Sequence, residues 1–285
     1  MSDSGKNPSG SLPEYDEQLS GFHQVFEREL AAIVTGLPLS VGMRVLDLAC
    51  GDGFYTRRIA EHLGTGGHVT GADVNHAYLS EASKEATLQV GRATIDFVAA
   101  SFDQLPFPDD TFDLVWCAQS LYSLPDPVVV LGHLARVLRP GGLVAVLEND
   151  TLHQVLLPWP VELELPLRAA ELRALLDASR RPSKYYVGRR LPAVLASAGL
   201  APLGITTHAF DRHAPLVEPE QQLLQSYLEA LAERVAPYLD DRLGEMLGRL
   251  IARGSPQNLL AQPHLTMTWL SVLALGRKPA DRRRV

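Results

Sequence analysis

Two hydrophobic rhythms alternate along the first half of the chain. Short apolar runs, typical of buried strands, are separated by stretches in which apolar residues recur every three or four positions, as on one side of a helix. The predicted strands cover residues 44–48, 68–73, 94–99, 112–118 and 143–147. The predicted helices cover residues 18–37, 55–63, 77–90 and 127–138. Strict alternation of strand and helix predicts a parallel sheet with helices on both faces.

After Asp150 the pattern changes to long leucine-rich stripes. Long helical segments are predicted at residues 162–180 and 218–253, and a shorter helix at 188–199. Strands at residues 203–210 and 265–275 complete a mostly parallel α/β sheet of seven strands. The predicted order is a tail, a core, a helical insertion, a continuation of the core, a second helical insertion, and a final strand with its tail. These segments are residues 1–17, 18–150, 151–187, 188–214, 215–260 and 261–285.

Composition and net charge indicate which kinds of binding partner the protein is expected to have. The chain has 285 residues, of which 46% are hydrophobic, and a net charge of -7 that disfavours nucleic acid. No apolar run reaches the ~20 residues of a membrane span, and the N terminus lacks the apolar segment of a signal peptide. We therefore expect a cytoplasmic protein with a small-molecule substrate and no nucleic-acid or membrane partner. Cys50 and Cys117 lack metal-ligand spacing, which predicts buried free thiols and no metal site.

A glycine loop joins the first predicted strand to the helix that follows it. The sequence from Val45 to Thr56 reads VLDLACGDGFYT, with Asp47 at the strand end and Gly51 and Gly53 in the turn. Glycines let the backbone turn sharply and let a ligand approach closely. The N terminus of the helix offers free N–H groups to an anionic group, while the carboxylate of Asp47 can pair with an amino group.

Dinucleotide-binding proteins use a related loop, but two residues distinguish the present loop from theirs. A dinucleotide-binding loop has a small residue at the position of Thr56, and the carboxylate of Asp47 would repel a pyrophosphate. An amino acid that carries a sulfonium would be attracted instead. The segment resembles the first motif of class I S-adenosylmethionine-dependent methyltransferases. Its D-x-A-C-G-x-G form is similar to that of the quinone-biosynthesis-type and small-molecule members.

Further segments extend the resemblance over roughly residues 42–150. In GADVN, residues 71–75, Asp73 ends the second strand 73 − 53 = 20 residues after Gly53, where an acid can accept both ribose hydroxyl protons. Residues 100–115, ASFDQLPFPDDTFDLV, resemble the third and fourth motifs of the family, and residues 138–146, LRPGGLVAV, match the turn before its fifth strand. One departure is Ser101, because the family usually has an aspartate there that meets the adenine amino group.

The resemblance implies a Rossmann-like fold, S-adenosyl-L-methionine as cofactor and S-adenosyl-L-homocysteine as product. It implies that Asp47 holds the methionyl amino group, that the loop glycines approach the methionyl part, and that Asp73 binds the ribose. Ser101 and Phe102 would flank the adenine. The full predicted cofactor-binding set is Asp47, Ala49, Gly51, Gly53, Tyr55, Asp73, Val74, Ser101, Phe102 and Gln119. The two insertions have no specific match and are predicted to form a lid over the acceptor, because methyl transfer requires alignment and exclusion of water.

Two residues outside the cofactor motifs are predicted to be catalytic. His153 follows the fifth strand, so it should lie at the carboxyl edge of the sheet, where ligands bind in such folds. It could act as a general base toward an O–H or N–H acceptor; the alternative is a hydrogen-bonded structural histidine. Tyr122 follows the fourth strand. It could line the site, stack on the substrate or pack in the core.

The predicted function is methyl transfer to an O, N or C atom of a small, apolar or aromatic metabolite, as in secondary metabolism. The residues after the fourth strand, AQSLYSL, lack the N/D-P-P-Y tetrapeptide of enzymes that methylate nucleic-acid bases. Three alternatives stay open: a cofactor-bound protein that catalyses another reaction such as a cyclisation, a non-catalytic partner subunit, and, as the weakest, an NAD-dependent dehydrogenase. A homodimer is a possible assembly.

Overall fold

The computed structural model describes residues 16–86, 93–124, 126–179 and 185–280. Its strands are β1 Arg44–Leu48, β2 His68–Asp73, β3 Thr94–Ala99, β4 Phe112–Ala118, β5 Leu138–Glu148, β6 Val155–Leu156, β7 Ala201–His213 and β8 Thr266–Arg277. Its helices are α1 Asp16–Val25, α2 Glu27–Thr35, α3 Phe54–Leu63, α4 His76–Ala86, α5 Pro127–Val137, α6 Val161–Ala178, α7 Val187–Ser197, α8 Glu218–Val235 and α9 Asp241–Ile251. Within these residues, no helix combines the length and apolarity needed to cross a membrane. Most of the predicted N-terminal tail and the end of the helix predicted at 77–90 lie outside them.

The strands form one sheet in the order β3-β2-β1-β4-β5-β8-β6, and β7 also pairs with β8. Strands β1 to β5 run parallel, whereas β8 is antiparallel to β5, β6 and β7. The predicted α/β class is confirmed, but the sheet has eight strands instead of seven. The additional strand, β6, lies in the first predicted insertion and has only two residues. Such a short strand shows no periodicity from which it could be predicted.

Two predicted helices are each broken. The helix predicted at 18–37 consists of α1 and α2, which meet at the fully buried Phe26, where ψ is 22°. The segment predicted at 218–253 consists of α8 and α9, separated by a short 3-10 turn that contains Pro237. Proline removes a backbone donor and clashes with the preceding helical turn. Asp240 then begins α9 by accepting a hydrogen bond from the Leu243 N–H at 2.8 Å. The leucine stripe continues across this break, so periodicity does not show it.

The sheet separates two hydrophobic clusters. On β1, Val45 belongs to one cluster and Leu46 to the other, because side chains alternate between the faces of a strand. Buried residues of α1, α2 and α3 share the first cluster with those of α6, α8 and α9. Residues of α5 and α7 belong to the second. Both insertions therefore pack on the same side of the sheet, which we call the insertion face. Cys50 and Cys117 are buried free thiols, as predicted.

A close approach between β2 and β3 restricts position 71 to glycine. A Cβ atom at Gly71 would lie 2.6 Å from Cδ1 of Phe97 and 3.0 Å from Sγ of Cys50. We expect Gly71→Ala to lower the free energy of unfolding by about 1–3 kcal/mol, the usual cost of overpacking.

The control is Gly132→Ala, on the exposed side of α5, where an added Cβ meets no atom within 4 Å. That substitution should raise the free energy of unfolding by about 0.5–1 kcal/mol, because alanine favours a helix over glycine. Urea denaturation of both variants measures the difference. Equal effects would contradict the proposed clash.

Candidate functional site

The loop between β1 and α3 has an unusual backbone. Three of its residues have positive φ angles: Ala49 at 56°, Gly51 at 50° and Gly53 at 76°. This conformation is strained for alanine, and such strain is concentrated at functional sites. A Cβ atom at Gly53 would lie 2.9 Å from Cβ of Ala82 on α4, so the loop also lies tightly against its neighbours. As a result, the backbone of the loop lies at the carboxyl ends of β1 and β2.

Asp73 ties this loop to the next strand. It ends β2, and its Oδ2 accepts a hydrogen bond from the Gly51 N–H at 3.0 Å. Its Oδ1 accepts one from the Asn75 N–H at 2.8 Å. Burial raises the pKa of Asp73, although these backbone hydrogen bonds act in the opposite direction. Asp73 is only partly buried, and its hydrogen bond with the Gly51 N–H holds the loop against the end of β2.

Asp47 lies beneath the same loop and is almost fully buried. Its Oδ2 accepts a hydrogen bond from the Thr56 hydroxyl at 2.6 Å. Burial above all, together with the nearby carboxylates of Asp52 and Asp73, raises the pKa of Asp47 to about 7, while the hydrogen bond from Thr56 acts in the opposite direction. A cation beside Asp47 would favour its ionised form. The threonine at the position where a dinucleotide-binding loop has a small residue is therefore the hydrogen-bond partner of this carboxyl group.

Helix α1 covers the loop from outside. His23 on α1 places Nδ1 3.3 Å from Oδ2 of Asp52, and its ring stacks on Phe54 with centroids 4.3 Å apart. Asp52 also accepts a hydrogen bond from the Phe54 N–H at 2.9 Å, at the start of α3. Burial opposes ionisation of Asp52, but the contacts with His23 and Phe54 bring its pKa below the ordinary value. Sequence reasoning missed His23, because no local pattern connects it to a loop 29 residues away.

A second buried acid, Glu148, organises the loop after β4. It ends β5, and its Oε1 accepts hydrogen bonds from the N–H groups of Ser120 at 2.7 Å and Leu121 at 2.5 Å. Burial raises the pKa of Glu148 to about 8. Gln119 in the same loop has a φ of 51°, and its N–H donates to the Leu147 carbonyl at 2.7 Å. Glu148 was not predicted from the sequence, because a lone acid at a strand end carries no specific signal.

The remaining predicted residues lie at the carboxyl ends of the parallel strands or directly after them. Val74 follows β2 and is 39% exposed, and Ser101 and Phe102 follow β3. The ring of Phe102 packs against the second hydrophobic cluster. Tyr55 differs, because its ring is buried on the insertion face.

The two predicted catalytic residues lie near the ends of β4 and β5. Tyr122 is 42% exposed, and His153 is exposed in the turn Thr151–His153. Partial burial lowers the pKa of His153, and the positive charges of Arg189 and Arg168 act in the same direction. Its role as a general base stays a prediction.

Comparison with known proteins finds similarity to methyltransferases. A family model described as a methyltransferase domain matches residues 46–146. A 2-phytyl-1,4-naphtoquinone methyltransferase of Synechococcus elongatus is 37% identical over 149 residues, covering 51% of this chain and 63% of that protein. A demethylmenaquinone methyltransferase of Staphylococcus aureus is 34% identical over 128 residues, covering 45% and 51% respectively. The crystal structure of a SAM-dependent methyltransferase from Aquifex aeolicus superposes with a TM-score of 0.52 at 19% identity, covering 69% of this chain and 93% of that one.

Residues 46–146 of this chain therefore resemble a methyltransferase domain. The curated relatives over this core are quinone methyltransferases, and the superposed protein from Aquifex aeolicus is a SAM-dependent methyltransferase. The matched residues contain the glycine loop, Asp73, Ser101 and the loop after β4. The chain spans less than two thirds of the length of the two curated relatives.

Glu148 provides a test of how the protein holds the loop after β4. We expect Glu148→Ala to lower the free energy of unfolding by about 2–4 kcal/mol, because two backbone N–H groups lose their acceptor. Glu148→Gln keeps an acceptor and should cost less. Urea denaturation at several pH values measures both effects, and equal losses would contradict the assigned role.

The pH dependence has a definite sign. The pKa of Glu148 is about 8 in the folded protein, whereas the ordinary value for a glutamate side chain is 4.5. Between these values the unfolded chain binds fewer protons, so this group lowers stability as the pH rises. Glutamine cannot ionise, so Glu148→Gln should gain stability relative to the parent protein over that interval.

Proposed function

We propose that this chain transfers the methyl group of S-adenosyl-L-methionine to an O, N or C atom of a small, apolar or aromatic metabolite, with S-adenosyl-L-homocysteine as product. The observation that carries the proposal is the contact of the glycine loop with Asp73, in which the Gly51 N–H donates to Oδ2 at 3.0 Å. This contact joins the parts of the site that would hold the methionyl and ribose groups. The quinone methyltransferases that resemble the core support a flat, apolar acceptor.

The residues present fit the cofactor in charge and in hydrogen bonding. S-adenosylmethionine, when bound, supplies a methyl group already activated by a positively charged sulfur. Asp73 can accept ribose hydroxyls in addition to its backbone bonds, because a carboxylate offers about four acceptor positions. Asp47 would orient the methionyl ammonium, directly or through water, beside the backbone of Gly51 and Gly53. Ser101 and Phe102 would flank the adenine. The proposed set is completed by Ala49, Tyr55, Val74 and Gln119.

The two insertions would form the acceptor side as a lid that excludes water. A buried ion cluster joins them: Glu171 on α6 accepts a hydrogen bond from Arg234 on α8 at 2.9 Å and also pairs with Arg168. Arg168 in turn donates to the Val155 carbonyl in β6 at 3.2 Å. This cluster would fix the lid helices relative to the sheet.

Tyr122 and His153 are proposed to face the acceptor. A cytoplasmic location and a homodimer stay predictions.

Asp73 provides the first test of the proposed function. We expect calorimetric titration to show saturable binding of S-adenosylmethionine and S-adenosylhomocysteine, and none of NAD. Asp73→Ala should weaken both interactions at least ~30-fold, because hydrogen bonds to a charged group contribute about 1.5–3 kcal/mol each. A dissociation constant unchanged by Asp73→Ala would remove the ribose assignment.

The matched control is Asp96→Ala, on the neighbouring strand β3, where the carboxylate is exposed and pairs with His68 at 3.1 Å. That variant should bind both ligands as the parent protein does. Absence of binding by the parent protein itself would overturn the proposed function. Bound cofactor without any methylated product, in a screen of phenolic, quinone and amine acceptors, would favour a non-methylating reaction such as a cyclisation.

Asp47 should make cofactor affinity depend on pH. Its pKa of about 7 means that the carboxyl group is mostly protonated well below neutrality. A bound ammonium group favours the ionised form, so affinity should rise with pH as Asp47 ionises. Between about pH 5.5 and pH 7, below the ordinary amino-group pKa of ~7.7, we expect affinity for S-adenosylmethionine to rise about tenfold with release of a proton.

Calorimetry in buffers of different ionisation enthalpy measures both the affinity and the proton release. Asp47→Asn should bind more weakly and lose this pH dependence. An affinity of the parent protein that stays constant over the same interval would show that Asp47 does not contact the ammonium group.

A further inference from the structure

Four aromatic side chains on the insertion face carry buried polar atoms that lack a hydrogen-bond partner among the described residues. The atoms are Nε2 of His23, Oη of Tyr55, Nε1 of Trp116 and Nε1 of Trp269. These side chains are between 0% and 7% exposed. An unsatisfied buried polar group costs about 1–3 kcal/mol, so native structures rarely keep several together without a ligand or another function.

Ring contacts connect the four side chains into one group. The rings of Tyr55 and Trp116 are 5.2 Å apart, and those of His23 and Tyr55 are 5.4 Å apart. Phe22 links His23, at 6.4 Å, to Trp269, at 5.2 Å. We call His23, Tyr55, Trp116, Trp269 and the intervening Phe22 the ring cluster.

The ring cluster adjoins the cofactor loop on one side and the insertions on the other. Tyr55 is the second residue of α3, directly after the glycine loop, and Trp116 is paired in register with Asp47. Trp269 is paired in register with Val155 of β6, and its ring lies 5.7 Å from that of Tyr227 on α8. The cluster therefore lies between the glycine loop, which is the proposed cofactor site, and the two insertions.

The chemistry of the cluster selects its ligand. Indole N–H groups can only donate hydrogen bonds, so Trp116 and Trp269 require an oxygen or another lone pair. Burial keeps the pKa of Tyr55 well above its ordinary value, and the carboxylates of Asp47 and Asp52 act in the same direction, so its hydroxyl stays protonated. The same negative surroundings disfavour an anionic ligand. The aromatic side chains of the cluster favour contact with a ligand that has a flat ring.

His23 differs from the other three, because its free atom is an acceptor. Nδ1 faces the carboxylate of Asp52, which favours the tautomer with the proton on Nδ1 and leaves a lone pair on Nε2. A carboxylate that fixes the tautomer and stabilises the protonated ring is the usual support of a histidine general base. With the proton on Nδ1, the lone pair of Nε2 can accept a proton from a ligand hydroxyl.

We propose that the ring cluster binds a neutral hydroxylated aromatic acceptor and that Nε2 of His23 accepts the proton of its hydroxyl group. This rests on the proposed function and names its acceptor class. The hydroxyl proton moves to Nε2 as the oxygen forms its bond to the methyl carbon. The carbon–sulfur bond breaks, and its electron pair stays on sulfur, which becomes a neutral thioether. Asp52 is a positioning residue, and the proton on His23 leaves to solvent after release of the methyl ether.

The test uses 1-naphthol and its methyl ether, 1-methoxynaphthalene, which differ by one hydroxyl proton and are substrate and product of the proposed step. Two of the three tryptophans of the chain belong to the cluster, so quenching of tryptophan fluorescence reports binding. With and without S-adenosylhomocysteine, the parent protein should bind 1-naphthol about fivefold or more tighter than the ether, the effect of about one hydrogen bond. With S-adenosylmethionine it should convert 1-naphthol to the ether.

His23→Phe keeps a ring against Phe54 but removes both nitrogens, so it should lose the preference for 1-naphthol and at least ~100-fold of the turnover. Tyr55→Phe removes only a hydroxyl and should weaken binding of both probes. The matched control is His68→Phe, which breaks a histidine–aspartate pair with Asp96 at 3.1 Å at the opposite end of β2. It should match the parent protein in both assays.

A cooperative urea unfolding transition shows that each variant is folded, and titration with S-adenosylhomocysteine separates the possible failures. If the parent protein does not bind S-adenosylhomocysteine, the proposed function is overturned. Intact cofactor binding without a preference for 1-naphthol, or a preference that persists in His23→Phe, would overturn the binding site. Binding of 1-naphthol without formation of the ether, or a carbon-methylated product, would overturn the role of His23 as proton acceptor.

Discussion

The carboxylates of Asp47, Asp52 and Asp73 lie close together around the glycine loop. The rest of the site depends on the groups that offset the repulsion between their negative charges. Asp52 and Asp73 both raise the pKa of the buried Asp47. Like charges in a poorly solvated region repel strongly. Local donors offset part of this: the Thr56 hydroxyl, the Gly51 N–H and the ring of His23 each bind one of the acids. The remaining negative potential suits a ligand that carries an ammonium and a sulfonium group.

The parts that the sequence predicts are those encoded locally. Strands β1 to β4 follow from apolar runs, and Asp47 and Asp73 follow from their spacing around the glycine loop. The contacts of His23 with Asp52 and of Glu148 with Ser120 join residues 29 and 28 positions apart. A hydrophobic pattern with a period of 2 or 3.6 residues does not predict such a contact. The same limit applies to the two-residue strand β6, whose pairing with Trp269 depends on the folded sheet.

The proposed cofactor site and the proposed acceptor site draw only partly on the same segments of the chain. The cofactor loop and Asp73 lie within the first 73 residues, and both belong to motifs with fixed spacing. The ring cluster draws His23 from α1, Trp116 from β4 and Trp269 from β8. Function in such folds resides in grafted sites and not in the fold itself. His23 and Trp269 lie outside residues 46–146, which the family model matches, so changes at these two positions would alter the proposed acceptor site while the cofactor motifs stay the same.

The position of β8 has a consequence for how the molecule is assembled. This strand pairs with β5, β6 and β7, yet it begins 266 − 148 = 118 residues after β5 ends. During synthesis from the N terminus, one edge of β5 must wait for its neighbour until both insertions have been made. Such distant pairing slows folding and leaves a strand edge open to wrong partners. This sheet therefore cannot be completed before its last strand has been made, although the residues that would hold the cofactor emerge early.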